Sequence, residues 1–147
     1  MTLENAVISI KSIQSYSSED EDNIEFSSDG FYNLEDGVAR LGYFESEVTG
    51  MVGTKTEMFV SKDEVIVSRT GTVTSRMVFR EGLRDSFIYS TPYGNANVGL
   101  ETRKIVQHFG PDGGEVEIDY VVNMEHTIVI ANRFHISVKR IGDKSHG

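Results

Sequence analysis

A chain of 147 residues with 38% hydrophobic side chains is long enough for one filled core and too short for two ordinary domains. Its 23 acidic and 14 basic side chains give a net charge of −9 with no basic cluster, so nucleic acid and anionic lipid meet an unfavourable field. The absence of cysteine excludes a disulfide framework, a thiolate metal site and a cysteine nucleophile, and the opening Met1-Thr-Leu-Glu-Asn5 lacks the regions of a secretory signal, which makes a cytoplasmic address the expectation.

Apolar and polar residues alternate from about Asn5 to Tyr16, and this period of two predicts a half-buried strand with Ala6, Ile8 and Ile10 on one face. The like-charged run Ser17 to Asp22 predicts a solvated loop, followed by a second strand over roughly Asn23 to Asn33. Leu34-Glu-Asp-Gly37 predicts a tight hairpin, because Asp-Gly accepts the positive φ angles such a turn needs. Strands are then expected at Val38 to Phe44, Thr54 to Val60, Val65 to Thr70, Thr72 to Phe79 and Asp85 to Tyr89. Pro92 and Gly94 place Thr91 to Gly94 at a sheet edge or barrel corner, since proline donates nothing to a ladder.

A long strand from about Ala96 to Phe109 ends at Gly110-Pro-Asp-Gly-Gly114, the strongest turn signal in the chain. In the next strand Val116, Ile118, Tyr120, Val122 and Met124 share one parity, opposite Glu115, Glu117 and Asp119. The last strand carries Ile128, Ile130, Phe134, Ile136 and Val138 on one parity, with a bulge or bend expected at Asn132 and a frayed tail over 142–147. The core is expected to include Ile8, Val67, Val116, Ile118, Tyr120 and Phe134. Eight to ten short antiparallel strands leave two unpaired edges unless the sheet closes, so one all-β domain over 1–147 is expected, a closed or nearly closed barrel, with a two-sheet sandwich as the alternative.

The order of several short marks is similar to that of a known family. Asp29-Gly-Phe-Tyr32, Gly42-Tyr-Phe-Glu45, Val67-Ser-Arg-Thr-Gly71 with Met77-Val-Phe79, Thr91-Pro-Tyr-Gly94 with Leu100-Glu-Thr102, Glu115 to Tyr120 and Asn132 to Ile136 occur in sequence. In this the chain resembles the YwiB-like family of uncharacterised bacterial proteins, calycin-like barrels related to lipocalins. The resemblance implies a barrel and a bacterial cytoplasmic setting, and brings no activity or catalytic residues with it.

No catalytic constellation stands out. His108, His126, His135 and His146 lack ligand-like spacing, and neither Ser17 to Asp22 nor Asp112 to Gly114 has the ligand order of a calcium loop, so no metal and no cofactor is expected. Gly50, Gly53 and Gly71 form no phosphate cradle, and no Gly-x-Ser-x-Gly elbow occurs, so binding is favoured over catalysis.

Arg69 carries the sharpest reading, because it shares the parity of Val65 and Val67 and should point into one mouth of the barrel. A buried guanidinium needs an anion, either Glu45 or Glu57 in an internal ion pair or a ligand carboxylate; the internal pair, or an outward Arg at the strand end, has the greater weight. Tyr43, Tyr89, Tyr93 and Thr102 are candidates to add hydroxyls at the same place. The ligand site expected is thus Arg69, Tyr43, Glu45, Tyr93 and Thr102, holding a small apolar or carboxylate-bearing molecule. The alternative is an interaction module with a solid core and an acidic surface, binding a protein through the 17–22 loop and the 91–94 corner. Val121 and Val129 on the outer parity further suggest a homodimer.

Overall fold

The alternation becomes ten antiparallel strands in a computed structural model that describes residues 5–15, 21–124 and 128–141. They are β1 (Ala6–Ser15), β2 (Glu21–Glu35), β3 (Val38–Phe44), β4 (Thr54–Val60), β5 (Val65–Gly71), β6 (Ser75–Phe79), β7 (Arg84–Thr91), β8 (Gly94–Gly110), β9 (Gly113–Met124) and β10 (Ile128–Arg140). No helix occurs among the described residues, so none is long and apolar enough to cross a membrane, a statement that says nothing of membrane β-barrels.

Each strand except the β6/β7 pair is joined to its neighbour in sequence, and β1 pairs with β10 through ten consecutive residues, which gives the order β6-β5-β4-β3-β2-β1-β10-β9-β8-β7. The ring is nearly closed. Its break falls between β6 and β7, where a single bridge from Thr74 to Ser90 exchanges two N–H···O bonds of 2.9 Å. An up-and-down ring of this kind leaves only two short edges to manage.

Chain direction assigns two ends. Turns at 36–37, 61–64, 80–83 and 111–112 lie at the lower end, and connections at 45–53, 72–74 and 92–93 at the upper one. The lower half is filled by Ile8, Leu41, Met58, Val65, Phe79, Val116, Ile118 and Ile136, each 2% exposed or less. Asp36 and Gly37 turn β2 into β3 with φ of 51° and 78°, the geometry that Asp-Gly favours. Gly30 is needed for space: a Cβ there would run into the Gly42 carbonyl and the Ile8 side chain.

Some expectations are corrected. Glu21 and Asp22 belong to β2 rather than to a loop, which costs nothing because both are exposed, while 17–20 and the 142–147 tail lie outside the described residues. Thr72 and Val73 are not in β6, which starts at Ser75 beside the break in the ring. No bulge occurs at Asn132, whose pairing with Tyr120 and Gln14 is regular. The irregularity sits in β8 between Thr102 and Lys104, where Arg103 is unpaired. It switches the inward parity from Val98, Leu100 and Thr102 to Ile105, Gln107 and Phe109 and leaves Val106 and His108 exposed.

Candidate functional site

Register places Tyr43, Thr56, Arg69 and Ser75 side by side across β3, β4, β5 and β6, because Tyr43 pairs with Thr56, Thr56 with Arg69 and Arg69 with Ser75. Each lies on the parity of buried residues in its strand, so the row crosses the inner wall as a polar band above an apolar floor. Glu45, one turn of alternation beyond Tyr43, joins it from the start of the 45–53 connection.

Glu45 is held by hydroxyls. Thr49 donates to one carboxylate oxygen at 3.0 Å and Thr56 donates to the other. The Arg69 Nε stands 3.8 Å from Glu45 Oε2, near enough for charge to balance but too far for a hydrogen bond. The nearest partner of the Arg69 terminal nitrogen is the thioether of Met77 at 3.7 Å, a weak acceptor. Among the described residues, the buried side-chain polar atoms left without a hydrogen bond are Arg69 Nε and Ser75 Oγ, which are neighbours in the same row. The phenol of Tyr43 is pushed well up from its ordinary 10.0 by burial and by the Glu45 charge, with Arg69 acting the other way. Burial also raises Tyr120, again against the pull of Arg69, which sets Tyr120 near the same guanidinium.

Above this band the barrel is hollow. A cavity of about 360 Å³ occupies the upper half. Its walls are Ile10, Ile24, Phe26, Met77, Phe87, Tyr89, Val98, Val122, Met124, Ile130 and Phe134, with Met51 and Thr49 over the mouth. Its polar lining consists of the Tyr43, Glu45, Thr49 and Arg69 group on one side, with Ser12, Gln14, Tyr120 and Asn132 elsewhere. Arg69 and Phe87 also border an outer depression along the break between β6 and β7, so they separate inside from outside there.

The expected site residues divide. Arg69, Tyr43, Glu45 and Tyr89 line the cavity, and Glu45 supplies the counter-charge to Arg69. Glu57 does not: it lies on the outer face, paired with Arg40 at 2.7 Å. Tyr93 is a correction, since it occupies the tight turn between β7 and β8 and is fully exposed. Thr102 is buried beside Tyr120 but does not border the cavity, and its backbone instead holds the 80–83 turn. A solid core is corrected too, because packing fills only the lower half. Val121, expected on the outer surface, is only 7% exposed, whereas Val129 is 57% exposed.

Reading the sequence missed Thr49, Thr56, Ser75 and Asn132 as polar members of the interior. Parity with Met58 and with Met77 was the available signal for Thr56 and Ser75. No three of His, Cys, Asp and Glu gather to hold a metal among the described residues. His135 is on the outer face near Glu115, while His126 and His146 lie outside the described residues.

Comparison with known proteins places this geometry among relatives. A family model described as a domain of unknown function, DUF1934, matches residues 8–136. The uncharacterized beta-barrel protein YwiB of Bacillus subtilis is 31% identical over 97 residues, which are 66% of this chain and 67% of that protein. The crystal structure of the ywiB protein from Bacillus subtilis superposes with a TM-score of 0.82 at 23% identity, covering 93% of this chain and 92% of the other.

Proposed function

Since the chain belongs to the DUF1934, YwiB-like family, whose shared feature is the barrel, we propose that it binds a small, mainly apolar molecule inside that barrel. The observation that carries this reading is the cavity of about 360 Å³, apolar over most of its wall with polar groups gathered at Arg69. That volume lies at the small end of the roughly 300–1,000 Å³ of ordinary ligand sites. A large void is costly to keep in a barrel that could fill with side chains, as the lower half of this one does, so its retention favours an occupant.

Kinship with the calycins belongs to the same proposal. The up-and-down order supports it, although this ring has ten strands where lipocalins have eight. A cytoplasmic address is supported by the absence of cysteine. Association as a homodimer through an outer face is a further proposal, now supported by Val129 without Val121.

Native mass spectrometry of the protein purified from its own host tests the binding reading. A retained small molecule, released on unfolding and missing from a Val122→Phe variant that fills the cavity, is the expected result. An apo mass together with no uptake of apolar probes would overturn it.

A further inference from the structure

Resting on the cavity reading, we propose that the occupant presents an uncharged hydrogen-bond acceptor, such as a ketone, ester or amide carbonyl, to the Arg69 guanidinium, and that a free carboxylate is selected against. Arg69 brings five N–H donors into the barrel, yet they meet only one thioether and a carboxylate too far away for a hydrogen bond. Glu45 has no need of those donors, because Thr49 holds one of its oxygens and Thr56 the other. The site is therefore balanced in charge and unbalanced in hydrogen bonds.

An incoming carboxylate at Arg69 would lie close to the Glu45 carboxylate as well, since both approach one guanidinium. Inside the barrel that repulsion is weakly screened, and the entering charge also loses its water. A carbonyl takes the free donors with neither penalty. Buried polar atoms usually find a partner, and Arg69, which borders the cavity, keeps one buried nitrogen that lacks any.

Two probes with one ring system separate the possibilities: the neutral ketone 2-dimethylamino-6-propionylnaphthalene, whose emission reports hydrogen bonding to its carbonyl, and 6-dimethylamino-2-naphthoic acid. The wild-type protein should bind the ketone about tenfold or more tightly than the acid near neutral pH. Glu45→Gln removes the internal counter-charge and should reverse that order. Arg69→Met should weaken the ketone about tenfold and remove the hydrogen-bonded component of its emission.

Equal affinities, or a wild-type preference for the acid, would overturn this proposal and leave cavity binding standing. So would ketone binding that Arg69→Met leaves unchanged, the result expected if only water meets these donors. Binding of neither probe would overturn the cavity reading and this one with it. Should the variants fail to fold by circular dichroism, the wild-type preference decides alone, because it needs no substitution.

Discussion

Arg69 and Glu45 face each other at 3.8 Å, yet the carboxylate is bonded to hydroxyls and the guanidinium to almost nothing. Removing either member alone leaves a buried charge without its opposite, which costs about 3–5 kcal/mol in comparable pairs. Arg69→Met should therefore be strongly destabilising in urea unfolding. The double variant Arg69→Met, Glu45→Gln should cost at least about 1 kcal/mol less than the sum of the singles. Additive losses would mean that the two charges do not interact.

Tyr43 and Tyr120 give the fold an alkaline limit. Both phenols hold their protons more tightly in the folded barrel than their ordinary 10.0 implies, through burial first, with Glu45 adding at Tyr43. Below about pH 10 folded and unfolded chains carry the same protons on these groups, so stability does not depend on them. Above it the unfolded chain releases protons that the folded one keeps, and the free energy of unfolding falls by up to about 1.4 kcal/mol per pH unit for each phenol. Melting temperatures should drop through that range. The phenolate absorbance of two of the six tyrosines should rise only together with loss of the sheet signal. Their titration near 10.0 with the barrel intact would contradict the burial described above.

Gly30 and Gly37 differ in the reason each position is glycine. A methyl at Gly30 has no room beside Gly42 and Ile8, so Gly30→Ala should cost about 1–3 kcal/mol by overpacking. Around Gly37 there is open space, and only its φ of 78° resists a side chain. Gly37→Ala should cost about 1 kcal/mol, and Gly37→Asn less, because asparagine tolerates that conformation. Chemical denaturation of the three variants checks the ranking.

At the lower end the Tyr32 hydroxyl donates to the Gly110 carbonyl at 2.7 Å while its ring stacks on Phe109. Tyr32→Phe keeps the stacking and loses the bond, so a loss of about 1 kcal/mol with an unchanged denaturant slope is expected. A change in slope would show that the lower end opens as a separate unit.

Much of this fold was legible because a half-buried strand writes its orientation into every second residue. Val116, Ile118 and Ile136 are buried where parity put them, and Arg69 points inward for the same reason. Features set by a partner strand left no such mark. The unpaired Arg103 reflects the register of β8 against β9, whereas Asn132, a polar interruption in an apolar run, turned out to be a regular inward residue. Tyr93 misled because an aromatic beside a proline suits a turn tip as well as a cavity wall. The cavity itself depends on how side-chain volumes meet across the ring, which periodicity does not record.

The seam between β1 and β10 has a consequence for how the protein is made. Residues 6–15 pair with residues 131–140, so β1 must wait for the synthesis of all the other strands before the second of its two neighbours is complete. Until then β1 can lean only on β2, and the unfinished sheet shows bare edges at β1 and at β6. Joining β1 to β10 is a long-range step of the kind that slows folding, and it makes the nascent barrel most vulnerable to mispairing just before synthesis of β10 is complete.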